Sequence, residues 1–136
     1  MFNRPFDDQS QIRIRLESEA KLYIQDKIKN RDISLIWSYI LNIENDQNPH
    51  DERKLAIHKW QNLSSIYITE TSNILANANQ LLTFGIKSKD ALHVASAIEG
   101  DANYFLTTDD RLLLGIAKSN MIEGLNPVDY IKVLCK

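Results

Sequence analysis

The feature that most constrains what this chain can fold into is a regular alternation of extended and helical patterns. Short β-branched or aromatic runs at Ile33 to Trp37, Ser65 to Thr69, Tyr104 to Leu106 and Met121 to Leu125 are separated by stretches whose apolar residues recur at helical spacing. Parallel strands cannot be joined by a tight turn; they need a long crossover, usually a helix. The alternation therefore predicts an α/β/α sandwich with a mostly parallel central sheet.

Local signals set the helices. Ile12, Leu16, Ala20 and Ile24, with Leu22 and Tyr23 alongside, predict a long amphipathic helix from Asp8 to Lys29 that Asn30 can end. Ser38 is placed to cap a brief helix bounded by Asn48 and Pro49, and another runs from Asp51 to about Leu63. Thr71 to Phe84 reads as helix with Gly85 as terminator, and Asn126 with Pro127 forms an N-cap and N1 pair for a last helix through Leu134. No repeat, low-complexity tract or linker interrupts this pattern, so residues 1–136 read as a single domain.

Composition narrows the class. With 43% hydrophobic and 25% charged residues and few glycines or prolines, the chain has the make-up of a globular domain rather than a disordered or fibrous one. A net charge of −2 supplies no basic footprint for duplex binding, so nucleic-acid contact would have to come from local patches. Cys135 is the only cysteine, which excludes an internal disulfide and fits a reducing compartment. No run is apolar enough to span a bilayer and the N-terminus lacks a signal-peptide core, so no membrane association and a cytoplasmic location are expected.

The chemistry concentrates between Lys87 and Leu113. Ser88 can cap a helix in which Ala91, Val94, Ala95 and Ile98 form an apolar stripe ending at Gly100, and Asp90 lies at the N-terminal end of that stripe. Tyr104 to Leu106 then reads as a buried strand with Asp109 and Asp110 at its C-terminal end, where ligands collect in open α/β sheets. Carboxylates so placed are candidate metal ligands; equally, aspartates at helix starts cap amides and complement the helix dipole. Glu44, three and four residues after Leu41 and Ile40, borders an apolar face of the Ser38 helix, with simple exposure as the alternative. Arg4, Lys87, Lys89 and Arg111 flank the acidic segment in sequence and are candidate phosphate contacts or ordinary surface charge.

Other chemistries find no support. His50, His58 and His93 lack ligand spacing and a nucleophile arrangement, and His93 reads as a packing or surface residue. The four glycines are not clustered, which removes dinucleotide and phosphate-loop readings. Trp37, Trp60 and Tyr104 are expected in the core, while Asp7, Asp8, Glu17 and Glu19 read as a helix start and a solvated face.

DALHVASA followed by YFLTTDD resembles the C-terminal half of the PIN-domain family, the fold of VapC-type toxin ribonucleases. In that pattern an aspartate opens the DA-x-H-x-A helix and T-x-D ends the next strand, matching Asp90 and then Thr107 with Asp109. SLIWSYILNIENDQNP resembles the region carrying the family's helix-borne acid, which points to Glu44. The resemblance implies a Mg- or Mn-dependent endoribonuclease of toxin–antitoxin type. Glu44, Asp90 and Asp109 would be catalytic and metal-binding with Asp110 adjacent, and Thr107 or Thr108 would support them. RNA, an antitoxin protein or a second copy of the chain are the implied partners. Family members open with an apolar strand bearing a leading aspartate, whereas this sequence begins Met1-Phe2-Asn3-Arg4-Pro5. A domain truncated by that strand, and impaired in catalysis, is therefore expected. Its alternatives are a non-catalytic protein-binding module and a metal-free structural domain whose aspartates only cap helices.

Overall fold

The computed structural model describes residues 5–135. Its elements run α1 (Pro5–Lys29), β1 (Ile36–Ser38), α2 (Tyr39–Asp46), α3 (Asp51–Gln61), β2 (Ile66–Ile68), α4 (Ser72–Leu82), α5 (Ser88–Glu99), β3 (Tyr104–Leu106), α6 (Asp110–Ser119), β4 (Glu123–Leu125) and α7 (Pro127–Leu134). The alternation read from the sequence is present, and every strand pairing is parallel. One continuous sheet does not form among the described residues. β1 pairs with β2, aligning Ile36 with Ile66, and β3 pairs with β4, aligning Tyr104 with Glu123, as two separate ladders.

The strands are shorter than the apolar runs because turns claim their ends. Arg31 adopts a φ of 65°, and the Asp32 and Ile33 amides both return to the Lys27 carbonyl, so Ile33 is spent on ending α1 rather than extending β1. Asn120, with φ 54°, closes α6 in the left-handed conformation, and the Met121 amide donates to Ser119 Oγ, so β4 starts only at Glu123.

The main core is built where α4, α5 and α6 meet. Ile74, Leu81, Val94 and Ile116 are wholly buried, with Ala91 and Ala95 between them. Fully burying side chains of that size stabilises by roughly 1.5–3 kcal/mol each. The expected stripe of α5 is thus real, with Ala91, Val94 and Ala95 at 0% exposure. Thr71 caps α4 through the Ile74 amide and Asn126 caps α7 through the Val128 amide, with Pro127 at N1. Ser38 occupies the N-cap position of α2 without a side-chain cap bond. Ser88, expected as the cap of α5, is instead its first helical residue, the N-cap position falling to Lys87, which makes no side-chain cap bond either.

α1 departs from its expected face. Ala20, Ile24 and Ile28 are buried, but Ile12 and Leu16 remain 58% and 49% exposed. Leu22 and Tyr23 also face outward. The core covers only the C-terminal part of this helix. Trp37 is buried as expected and its indole donates to Asn42, while Trp60 is only partly covered, with Lys29 Nζ 5.5 Å from its ring centroid. No described helix is long and apolar enough to cross a membrane.

Candidate functional site

α2 follows β1 directly and carries Glu44 in its last turn, where the negative end of the helix dipole disfavours a carboxylate. A compensating partner comes from α5: His93 Nε2 lies 2.5 Å from Glu44 Oε1. The His93 side chain is 16% exposed and that of Glu44 36%, so the pair sits at the rim of the interior. Asp90, half-buried, stands one turn before His93 on α5, and the two share a helix face. Glu44, His93 and Asp90 thus occupy neighbouring elements. The neighbouring Asn45 locks α2 to α3 by donating to the Lys54 carbonyl, while its own Oδ1 is buried without a partner.

Asp109 ends the turn after β3, and its Oδ1 accepts the amides of Arg111 and Leu112 at 3.0 and 3.2 Å. It is the N-cap of α6. Thr107 supports that turn, its Oγ1 accepting the Asp109 amide at 3.1 Å. Thr108 is half-buried and makes no side-chain hydrogen bond among the described residues. Asp110 points elsewhere. Both of its oxygens accept from the guanidinium of Arg13 on α1, at 2.7 and 2.8 Å. That hydrogen-bonded cation holds the Asp110 carboxyl below its usual range, and the same pairing keeps Arg13 firmly charged.

Among the described residues no three His, Cys, Asp or Glu side chains are grouped so as to hold a metal ion. Glu44 is committed to a histidine, Asp109 lends one oxygen to a cap, and Asp110 is matched by a guanidinium. The residues present therefore do not form a Mg or Mn site of three converging carboxylates. Of the candidate phosphate contacts, Lys87, Lys89 and Arg111 are exposed around the start of α5 and α6, and Arg4 lies outside the described residues.

Three participants escaped the sequence reading. His93 lies three residues after Asp90, so helical spacing alone could have nominated it as the partner of any acid packed across α5. Arg13 meets Asp110 across 97 positions, and nothing local signals that pairing. Glu17 is no solvated residue: its side chain is 12% exposed and accepts from Arg13 and from Asn126, tying α1 to the start of α7. Elsewhere, Tyr39 donates to Glu70, and burial first, then that carboxylate, push its phenol up to about 12.

No family model matches this chain, and it matches neither a curated protein nor a solved structure.

Proposed function

We propose that the chain is a PIN-type nuclease domain whose acidic site, Glu44, Asp90 and Asp109, acts on RNA phosphodiesters weakly or not at all. The observation that carries the reading is the Glu44–His93 contact, which brings the acid following β1 onto the same helix that bears Asp90. Further support comes from Asp109 at the C-terminal end of β3, a strand that packs on that helix. Because the carboxylates do not converge, binding of Mg or Mn would be loose and no hydrolytic step is assigned to a bound ion. Thr107 orders the turn that presents Asp109, and Lys87, Lys89 and Arg111 would meet phosphates.

The deciding experiment is calorimetric titration of the purified chain with Mn²⁺, paired with a cleavage assay on a labelled single-stranded RNA. Weak, saturable Mn²⁺ heat that Asp90→Asn abolishes, with slow cleavage or none, is the expected result. Absence of any Mn²⁺ heat together with no detectable cleavage would remove the nuclease reading, and rapid Mn²⁺-dependent cleavage lost in Asp90→Asn would remove the claim of impairment.

A non-catalytic protein-binding module is the second reading, supported by the uncovered apolar residues Ile12, Ile14 and Leu22 of α1. Self-association through that helix predicts a molecular mass in sedimentation equilibrium that rises with concentration and falls back to the monomer value in Leu22→Lys. A monomer at all concentrations counts against it.

A further inference from the structure

The two ladders leave a gap between them, and its walls are strand edges. A groove of about 690 Å³ is lined by Ile36 and Ser38 of β1 on one side and by Tyr104 and Leu106 of β3 on the other. Its floor is α5, through Ser96 and Ala97, with Gly100 just past its end, while Ile24 and Ile28 of α1 and Tyr130 of α7 also line it.

The hydrogen-bond register shows which backbone groups face this groove. In a parallel ladder, alternate residues of a strand direct both their N–H and C=O to the same neighbour. The Leu35 carbonyl accepts from the Ser65 amide, so Leu35 and Trp37 are the residues that bond to β2, and the Ile36 peptide groups turn the other way. On the far wall, the Thr107 amide donates to the Leu125 carbonyl, which assigns Phe105 and Thr107 to β4 and turns the peptide groups of Tyr104 and Leu106 away from it. Ile36, Tyr104 and Leu106 make no backbone bond outside their ladders among the described residues. Two half-buried strand edges thus present donors and acceptors to one cleft, a costly arrangement unless something pairs with them.

We infer that this groove is a receptor for an extended peptide strand, supplied by another polypeptide, that hydrogen-bonds to β1 and β3 at once and joins the two ladders into one sheet. The walls dictate the occupant. With α5 on one face and α1 and α7 side chains also lining the groove, both faces of an inserted strand would be buried, so its side chains form a continuous apolar run rather than an alternating one. Charge sets one end: Asp32 and Asp101, which precede β1 and β3, both border the groove, and because Asp32 already lies 3.8 Å from Lys27 Nζ, Asp101 is the carboxylate that favours a lysine or arginine beside the apolar run. Strand addition of this kind draws affinity from main-chain bonds and selectivity from side-chain pockets. The inference stands without the nuclease reading.

The test uses two capped heptapeptides, each with two lysines and five Val or Ile residues, one with the lysines leading and one with them trailing. Binding is read by fluorescence anisotropy, and amide exchange by NMR. At least one peptide should bind saturably below about 1 mM, and the amides of Ile36, Tyr104 and Leu106 should become protected on binding. N-methylation at alternate residues, which deletes donors while keeping the apolar side chains, should weaken that peptide at least tenfold in one of the two methylation registers. Ala97→Leu, which fills the floor of the groove, should weaken it similarly while leaving far-ultraviolet circular dichroism unchanged. Failure of both peptides to bind, or binding indifferent to N-methylation in either register and without protection of those three amides, overturns the inference.

Discussion

Gly115 offers the sharpest test of how α6 is held against the turn between α4 and α5. A methyl group placed on its α-carbon would lie 2.7 Å from Ile86 Cγ1 and 3.2 Å from Cδ1, with the Phe84 carbonyl oxygen at 3.4 Å. Replacing a helical glycine by alanine ordinarily stabilises by about 1 kcal/mol. Overpacking a tight interior ordinarily costs about 1–3 kcal/mol. Here the obstructing atom is close to the Ile86 backbone, and Ile86 is itself 5% exposed, so rotating a terminal methyl cannot relieve the contact. The cost should lie near the top of its range, leaving Gly115→Ala destabilised by about 1–2 kcal/mol net. Ile86→Ala removes the obstructing atom at a cost of about 2–5 kcal/mol of its own. In that background Gly115→Ala should turn neutral or stabilising, giving a coupling of about 1–3 kcal/mol in the double-mutant cycle. Urea denaturation followed by circular dichroism measures all four proteins. The reasoning fails if Gly115→Ala stabilises the parent, or costs the same with Ile86 present and absent. Because Ile86 immediately precedes Lys87, the N-cap of α5, a displaced Ile86 would also tilt the turn that presents Asp90.

Asp109→Ala should destabilise by about 1 kcal/mol through loss of its cap, whereas Asp109→Asn should retain most of that stability because asparagine caps equally well; urea midpoints distinguish them. Tyr39 carries a phenol raised above that of the unfolded chain, so its contribution is intact below about pH 10 and is lost as pH climbs through about 12. Absorbance at 295 nm should show one tyrosine ionising near pH 12; Tyr39→Phe should delete that phase, while Glu70→Gln should advance it only in part because burial is the larger cause. Asp110 has a lowered carboxyl, so the stability it lends is present above the ordinary carboxylate range and disappears as pH falls through its lowered value. Arg13→Met should remove that acid-side slope in denaturation midpoints, and molar salt should mimic the substitution because the pair is exposed.

Much of the fold was legible because its signals are local. The stripe of α5, the helix that follows Thr71, the Asn126–Pro127 start of α7 and the order of helices and strands all depend on neighbours within a few positions. The limits of that legibility are tertiary. The α1 stripe was read through Ile12 and Leu16, but periodicity says only that one face is apolar, and the core reaches only Ala20, Ile24 and Ile28. The division into two ladders was illegible for the same reason, since each strand's own sequence does not record which edge finds a partner. At the site, residue types at Glu44, Asp90 and Asp109 were readable, but their commitments were not. A histidine from α5 and two amides of α6 decide which oxygens remain free.

The groove and the acidic pair share a residue, and that makes them energetically dependent. His93 lines the groove between β1 and β3 and at the same time holds Glu44. Its helix also fixes the position of β1: a methyl on Gly100, just past the end of α5, would meet the Ile36 side chain at 3.1 Å and Ile68 at 3.3 Å, so the first ladder rests directly on the end of that helix. β1 leads without a linker into α2, which bears Glu44. A strand seated against β1 therefore acts on Glu44 by two routes, through the imidazole on the groove floor and through the backbone that carries the carboxylate. Linkage requires the converse by the same factor: an ion or phosphate that draws Glu44 away from His93 must change the affinity of the groove for its strand. Titrating the peptide with and without Mn²⁺, in the parent and in His93→Ala, would read that factor, and equal peptide affinities in all four conditions would show the two features to be independent.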